Sequence, residues 1–483
     1  MSTLSLFSNQ QKSPTTLLFV GLVMTIVVGI ISGILSGEYA LFGLPVAYLG
    51  LYIAVVDFRK LFYLLLATIP LSTEVELPGG FGTDFPSELL VIGLMGLYFL
   101  YALRHAPKLD AAFFKHSITL LLLLHIVWVA FTALHATDKV IAFKFLLAKI
   151  WYVVTYYFLA GLFLKTEKDL KIFFKWVFFP LLFTVIVVMI RHAGRGFSFE
   201  EVNFVLNPFY RNHVNYAAIL VVFFPFLWYA PAWVARFSGR WWALVGAIAF
   251  MLLAIYLSYT RAAYVSLIIA AGAYGIVRFR LMKIVIAGAL ITTILGLNFV
   301  AQDNKYLELA PDFDKTISHS KFDNLLEATA KGEDISTMER VYRWVAGVHM
   351  VIDKPWVGFG PGNFYPNYPQ YTVLSFTTYV SDNPEQSGIH CYYLMTAVEQ
   401  GVIGLLIFLS VCFAVLLYGE RLYHLAAKAE QRRYVLMALL SFVIIAALLL
   451  INDMVETDKV GSFFFMNMAI LVNLEKRIRA IRA

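Results

Sequence analysis

The stretch YLMTAVEQGVIGLLIFLSVCFAVLL, residues 393–417, decides the fold of this protein. It runs for 25 residues with one charged side chain, Glu399. A helix of about 20 apolar residues is long enough to cross the hydrocarbon core of a bilayer. An ionisable residue inside such a helix either has a function or pairs with an arginine as scaffold, and the sequence leaves both interpretations of Glu399 open. His390 stands just before this run, at the edge of the predicted membrane helix.

Apolar runs of this kind recur along most of the 483 residues. Hydrophobic residues make up 60% of the chain, charged residues make up 14%, and the mean hydropathy is +0.75. Soluble domains carry about 25% charged residues, so this composition excludes a soluble globule. The lengths of the apolar runs predict an all-α, polytopic transmembrane helical bundle of about 12–14 spans.

Basic residues fall in every second loop between the predicted spans, from Arg59 to Arg433, and they recur in the C-terminal tail. The alternate loops, such as 73–86 and 452–459, are acidic or mixed. Because Lys and Arg hold loops in the cytoplasm, the basic loops and both termini are predicted to be cytoplasmic. The net charge of +7 is then explained by this retention and not by an anionic partner such as nucleic acid.

One outward segment is much longer than the others and divides the chain into three predicted parts. These parts are transmembrane helices 1–11 in residues 1–300, a large periplasmic loop in 301–392, and the C-terminal helices with a basic cytoplasmic tail in 393–483. Within the loop, residues 336–355 predict an amphipathic helix that lies on the bilayer or caps a cavity. Its predicted apolar face holds Val341, Trp344, Val345 and Val348, and its polar face holds Arg340, Arg343 and His349.

Two arginines at predicted helix starts run against the charge bias, because both lie on the outward side. Arg211 precedes the eighth predicted span, and Arg261 begins the tenth. The positive dipole end of a helix favours an anion, and a guanidinium has a fork of donors that fits phosphate or carboxylate. The alternative for either residue is an arginine that snorkels to lipid headgroups. Since Arg340 and Arg343 lie on the same side, the set favours an anion site.

Histidine supplies the predicted general base on this outward side. A neutral imidazole accepts a proton from a hydroxyl near pH 7, and His390 lies in the same outward set as the arginines. The alternative for His390 is a structural role at the start of its helix. His213 competes for the role of base, because it lies two residues from Arg211.

The sequence carries no metal-binding motif such as HExxH or DxD, and no Walker or Rossmann glycine pattern. We therefore expect neither a metal nor another cofactor. An enzyme of this composition that handles a phosphate-linked donor would use arginines to stabilise a departing pyrophosphate.

Several motifs resemble the O-antigen ligase and O-antigen polymerase superfamily. YLSYTRAAYVSLIIA (256–270) is similar to its Ser-x-(Ser/Thr)-Arg-(Gly/Ala)-Ala signature. MERVYRWVAGVHMVIDKPWVGFGPGNF (338–364) and HCYYLMTAVEQGVIGLL (390–406) resemble its Arg…Trp…Pro-x-x-Gly-x-Gly…His-(Asn)-x-Tyr-Leu…Glu-x-Gly pattern. The resemblance covers roughly residues 200–420, and Cys391 departs from it, since an asparagine often follows the histidine.

The resemblance implies a membrane glycosyltransferase of the GT-C-like type, in the bacterial inner membrane and with an active site that faces the periplasm. Such enzymes take a glycan from undecaprenyl pyrophosphate, as in lipopolysaccharide biosynthesis, and transfer it with inversion and without metal. By position, Arg211 and Arg261 would bind the donor pyrophosphate, and His390 would take the proton from the acceptor hydroxyl. The residues implied to contact a second phosphate or the acceptor are Arg340, Arg343 and His213.

The acceptor and one other function class stay open at this point. A ligase transfers to lipid A–core, a polysaccharide polymerase to another lipid-linked repeat, and a protein O-oligosaccharyltransferase to a protein hydroxyl. The compact outward loop favours the ligase. A transporter or flippase of lipid-linked glycans would also use arginines, but its expected related halves and interrupted helices are not visible in the sequence.

Overall fold

The computed structural model is a bundle of long helices, and it describes residues 15–37, 41, 43–77, 81–106, 109–310, 335–377, 381, 383 and 387–482. Within these ranges, ten helices are long and apolar enough to cross a membrane. The prediction of an all-α, polytopic helical bundle is confirmed. Residues 311–334, which belong to the predicted large loop, lie outside the described residues.

The helices are numbered here in chain order. The first group is α1 Thr15–Ser36, α2 Leu44–Thr68, α3 Ser87–His105, α4 Ala111–Phe114, α5 Ser117–Leu134, α6 Lys139–Val153, α7 Ala160–Phe163, α8 Glu167–Ala193 and α9 Val202–Val205. The second group is α10 His213–Tyr229, α11 Gly239–Tyr256, α12 Arg261–Arg278, α13 Met282–Ala301, α14 Ile335–Asp353, α15 Phe364–Asn367, α16 Tyr392–Leu425, α17 Ala429–Leu448 and α18 Asp458–Arg482. A buried π-helical segment, Val154–Leu159, joins α6 to α7.

Arg59 and Lys60 predict a loop between two apolar spans at 39–57 and 61–72, but the structure has one element here, α2, which is broken near its middle. Asp57 has non-helical dihedral angles (φ −161°, ψ 86°), so the chain changes direction there. Arg59 follows the break and lies 3.9 Å from Asp169 on α8. Arg59 and Lys60, whose charges predicted a loop between two spans, therefore lie at a kink within one helix.

A two-stranded antiparallel hairpin precedes α3, where the sequence predicted only a loop. Its strands, β1 Thr73–Leu77 and β2 Phe81–Phe85, pair Glu74 with Asp84. The sequence TEVEL alternates acidic with other side chains, which is the period of a strand with one polar face. The hairpin places a row of carboxylates at one end of the bundle.

The last two helices form the buried centre of the bundle together with α10. Ser441 of α17 donates a hydrogen bond to the carbonyl oxygen of Val222 on α10 at 2.8 Å, and Asn467 of α18 donates to the Ser441 hydroxyl at 2.8 Å. Between membrane helices such polar contacts hold helices together, since no water competes for them. By contrast, α1 and α13 lie at the periphery with most of their apolar surface exposed.

Each of the ion pairs named here joins two side chains at the same end of the bundle. The loop end carries the hairpin, residues 199–212, α14 and residues 449–457, and its pairs include Arg211–Glu74, Arg195–Glu201 and Lys149–Glu456. The opposite, basic end has pairs that include His116–Glu475, Lys171–Glu430 and Arg477–Glu167. Loops that the charge pattern assigned to one side of the membrane thus contact one another. Which end faces the cytoplasm stays a prediction.

Helix α14 packs on the protein through a small core of its own, with Tyr342, Ala346 and Met350 among its members. Val341, Trp344 and Val345 pack against this core as predicted, but the predicted division of the faces is wrong at Arg343 and Val348. Arg343 is only 6% exposed, whereas Val348 is 40% exposed. Burial of Arg343 is accommodated because Glu339, one helical turn away, lies 3.5 Å from its guanidinium.

Candidate active site

His390 is fixed at the loop end by its own backbone. Its φ is +57°, in the left-handed region that favours glycine, and such a conformation persists only when the surroundings hold it. The His390 backbone N–H donates a hydrogen bond to Asp453 Oδ2 at 2.7 Å. Two residues later, the Tyr392 N–H donates to the carbonyl oxygen of Leu449 at 2.9 Å. The segment between α17 and α18 therefore holds the histidine in place.

The imidazole of His390 is neutral at physiological pH. Burial lowers the pKa of His390 from its ordinary 6.5 to about 3, and the positive charges of Arg340 and Arg343 lower it further in the same direction. The ring forms no hydrogen bond with another described residue, and its side chain is half buried. One ring nitrogen is thus available to accept a proton.

The two arginines of α14 have different surroundings. Arg343 is buried, donates to the carbonyl oxygen of Gly388 at 3.2 Å and pairs with Glu339. This contact supports the turn that presents His390. Arg340 Nη1 donates to the Ser336 hydroxyl at 2.9 Å, and Arg340 lines a cavity. Arg343 therefore supports the site, while Arg340 faces the space where a ligand fits.

The cavity beside Arg340, here called the arginine cavity, has a volume of about 670 Å³. Its polar lining includes Arg261, Arg340, His213, Thr260 and Asn452, and its apolar lining includes Val265, Ile269, Leu450 and Ile451. Cationic and apolar walls in one cavity suit a ligand with an anionic group and a hydrocarbon part. Among the described residues, no three His, Cys, Asp or Glu side chains converge to hold a metal ion.

Two helices begin at the arginine cavity, as the sequence predicted for its anion site. Arg261 is the first residue of α12, and His213 is the first residue of α10. The Thr260 hydroxyl makes no capping hydrogen bond to α12 and donates to the carbonyl oxygen of His213 at 3.2 Å, which ties the two starts together. The positive ends of both helix dipoles add to the guanidinium charge.

Arg211 does not line the arginine cavity. It lines a neighbouring cavity of about 490 Å³, together with Glu74, and the two side chains are 3.9 Å apart. The same cavity, here called the carboxylate cavity, is also lined by Asp84, Glu88, Glu456, Asp458, Trp151, Tyr152, Tyr210, Asn215 and Lys459. Asn203 lines both cavities, and its Oδ1 accepts a hydrogen bond from the His213 N–H at 2.9 Å. The two outward arginines of the sequence analysis are thus neighbours in adjoining sites.

The sequence analysis did not identify Asp453 as a site residue. Burial raises the pKa of Asp453 from its ordinary 3.8 to about 7, although the hydrogen bond from the His390 N–H acts in the opposite direction. Its second oxygen, Oδ1, is buried and has no hydrogen-bond partner among the described residues. The only sequence signal was an acidic loop that follows a predicted span, more than 60 residues beyond the histidine.

Glu399 is part of the scaffold that holds the glycine-rich segment 358–364. Its Oε1 accepts a hydrogen bond from the Phe364 N–H at 3.3 Å, and its carbonyl oxygen accepts one from the Gly360 N–H at 2.9 Å. Gly401 breaks α16 with a φ of +71°, and a Cβ there would lie 2.1 Å from the Trp356 carbonyl oxygen. The glycines are required because two stretches of backbone meet without room for side chains.

The residues that meet at this site occur in the order Arg261, Arg340, Arg343, glycine-rich segment, His390. Residues 246–409 match the family model of the O-antigen ligase. This match confirms the resemblance seen in the motifs, and the matched segment contains all three of these arginines and the histidine. Arg211 and Asp453 lie outside it. No curated protein matches the chain significantly. At the family level this match indicates a ligase- or polymerase-type function of a multi-pass membrane protein.

Proposed function

We propose that this protein is an inverting membrane glycosyltransferase that moves a glycan from undecaprenyl pyrophosphate to an acceptor hydroxyl, as an O-antigen ligase does. The observation that carries the proposal is a neutral imidazole, His390, fixed by Asp453 close to two arginines and beside a cationic cavity. We further propose that the loop end faces the periplasm of a bacterial inner membrane and that both chain termini are cytoplasmic. The alternation of basic loops supports this orientation.

In this proposal the arginine cavity binds the donor. Arg261 and Arg340 contact the pyrophosphate, and the start of α12 adds its dipole. The apolar wall at Val265 and Ile269 receives the first part of the polyprenyl chain. Arg211, from the adjoining cavity, contacts the glycan side of the donor and not the pyrophosphate.

The reaction needs one proton transfer and one displacement. The acceptor oxygen attacks the anomeric carbon while the bond from that carbon to the pyrophosphate oxygen breaks. His390 takes the acceptor proton, and general base catalysis of this kind contributes roughly 10²- to 10⁴-fold. The leaving undecaprenyl pyrophosphate keeps the electron pair, and the guanidinium groups stabilise its charge. Attack from the face opposite to the leaving group inverts the configuration.

The acceptor separates the ligase from the other members of the class. A polymerase and a protein O-oligosaccharyltransferase use the same donor chemistry, and a flippase needs no base. We propose the ligase, because the described part of the large loop is compact: α14 and residues 359–376 pack in one small core over the site.

The test uses a strain that lacks this gene and carries the wild type, His390→Ala or His135→Ala at matched membrane levels. His135 is the control, because it is exposed near the loop end and, among the described residues, its ring contacts only Phe131 of the helix that precedes it. Surface glycans and undecaprenyl-linked glycans are compared on gels. If the His390→Ala strain loses finished surface glycan while full-length lipid-linked chains accumulate, the result supports the ligase. If single repeats accumulate instead, the result indicates a polymerase. Wild-type pools in the His390→Ala strain would overturn the assignment of the base.

A further inference from the structure

The carboxylate cavity takes no part in binding the pyrophosphate in the proposed function, and its walls are unlike those of the arginine cavity. Aromatic rings of Trp151, Tyr152 and Tyr210 line it together with several carboxylates. Most of its charged groups are already paired within the protein: Glu74 with Arg211, Glu456 with Lys149, and Asp458 with Lys459. The remaining polar groups decide what the cavity binds.

Three half-buried side chains in this wall have polar groups that no described residue satisfies. Asp84, Asn215 and Tyr152 make no side-chain hydrogen bond or ion pair with another described residue. Burial and the nearby Asp458 raise the pKa of the Asp84 carboxyl to about 6, so it is partly protonated near neutral pH. A carboxyl group that can accept or donate a hydrogen bond, an amide and a phenol are groups that bind sugar hydroxyls.

The position of this cavity relative to His390 follows from one short segment. Asn452 lines the arginine cavity, Asp453 binds the His390 N–H, and Glu456 lines the carboxylate cavity. Four peptide steps separate Asn452 from Glu456, so their Cα atoms are at most roughly 14 Å apart. Glu456 also accepts a hydrogen bond from the Tyr392 hydroxyl at 2.6 Å, two residues after the histidine. The segment that holds the His390 backbone therefore contributes residues to both cavities.

We propose that the carboxylate cavity binds a sugar residue of the acceptor glycan that carries hydroxyls or an amine and no phosphate. The inference rests on the proposed function, since an acceptor is needed only if a glycan is transferred. The aromatic rings pack on the apolar face of the sugar, and Asp84 and Asn215 bond its hydroxyls. The unpaired carboxylates disfavour a phosphate group, because like charges in a half-buried site repel each other. Selection of the acceptor then takes place next to the base that activates it.

The first test measures binding without turnover. Glucose, glucosamine and glucose 6-phosphate are added to the full-length protein in nanodiscs, and saturation transfer to each sugar is recorded by NMR. Glucose and glucosamine should bind, and glucose 6-phosphate should not. Asp84→Ala and Asn215→Ala should each weaken glucosamine or glucose binding roughly tenfold, since each removes one hydrogen bond to the ligand. Glu201→Gln, at a half-buried carboxylate of the same end that lines neither cavity, should leave binding unchanged.

Absence of sugar binding, or binding that neither cavity variant weakens, would overturn the inference. A second test measures transfer with the acceptor that the gel assay identifies. There Asp84→Ala should raise the acceptor KM roughly tenfold and leave kcat and the donor KM unchanged. A change in the donor KM alone would assign the cavity to the donor and also overturn the inference. Undiminished turnover in His390→Ala would refute the proposed function instead, while sugar binding would still decide the role of the cavity.

Discussion

At the scale of single residues, the state of His390 determines how the enzyme responds to pH. Because burial and two arginines hold the pKa of His390 at about 3, the ring is neutral throughout the physiological range. We expect kcat to show no acid limb centred near 6.5, the ordinary pKa of histidine. The measurement is kcat in nanodiscs from pH 5 to 8 with saturating donor. A half-maximal rate at pH 6.5 would contradict the buried, neutral state.

Asp453 is expected to make stability depend on pH. Its folded-state pKa of about 7 exceeds the ordinary 3.8, so the folded protein keeps a proton that the unfolded chain releases. The contribution is complete below pH 3.8, falls as the pH rises and is lost above 7. Asp453→Asn does not ionise and still offers an oxygen to the His390 N–H. We expect it to raise Tm more at pH 8 than at pH 5 and to retain activity.

The control for this expectation is Asp453→Ala, which removes the acceptor of the His390 N–H. That variant should lose kcat, because the left-handed conformation of His390 is no longer held. A Tm gain for Asp453→Asn that is the same at both pH values would show that the carboxyl is not the group that titrates.

Arg261 is expected to be intolerant of a charge-conserving change. Lysine keeps the charge but offers a point ammonium in place of a planar fork, so it cannot make two parallel bonds to a pyrophosphate. We expect Arg261→Lys to lower kcat roughly 100-fold. Arg211→Lys should lower it by less than about tenfold, because Arg211 lines the adjoining cavity and is half exposed. Rates are compared in proteoliposomes, and equal losses for the two variants would place both arginines on the pyrophosphate.

At the scale of elements, helices were predictable and their faces and breaks were not. Apolar length alone located the long helices, since a membrane demands it. The buried face of α14 was mispredicted, because Glu339 pairs with Arg343 and lets a guanidinium enter the core. The hairpin at Thr73–Leu77 was missed, since five residues of alternating pattern are too few to separate a strand from a loop.

The junction between the glycine-rich segment and α16 should be sensitive to a single methyl group. Gly401→Ala would force a positive φ on alanine and bring its Cβ to 2.1 Å from the Trp356 carbonyl oxygen. We expect a loss of roughly 2–4 kcal/mol in the free energy of unfolding, with a lower Tm. Gly96→Ala on α3 is the control, because no atom lies within 4 Å of its added Cβ. Its Tm should stay close to that of the wild type, and similar losses for both variants would remove the special role of Gly401.

At the scale of the whole molecule, the separation of the two ends permits a test of orientation. Cys391 and Cys412 are first replaced by serine, and a single cysteine is then introduced as Leu374→Cys at the loop end or Ala427→Cys at the basic end. An impermeant maleimide added to cells with a permeabilised outer membrane should label the first variant. The second should react only after the cells are lysed. The reverse pattern would place the site in the cytoplasm.

The sequence predicted most residues of the candidate site, but it did not predict how they are arranged. Arg261, Arg340 and His390 stood out because charged or titratable groups on the outward side need a reason. The division of Arg211 and Arg261 between two cavities depends on how α10, α12 and the hairpin pack, which no local pattern records. Asp453 could not be predicted as a site residue for the same reason, because it contacts His390 across 63 residues of sequence.

The position of α17 and α18 at the centre of the bundle has a consequence for how the chain is made. A ribosome releases α17 and α18 after the helices that pack around them, so every earlier helix enters the membrane before these packing partners exist. Asp453, which accepts the hydrogen bond from the His390 N–H, also emerges 63 residues after the histidine. In the proposed function, a nascent chain is therefore inactive until α17 and α18 have been inserted.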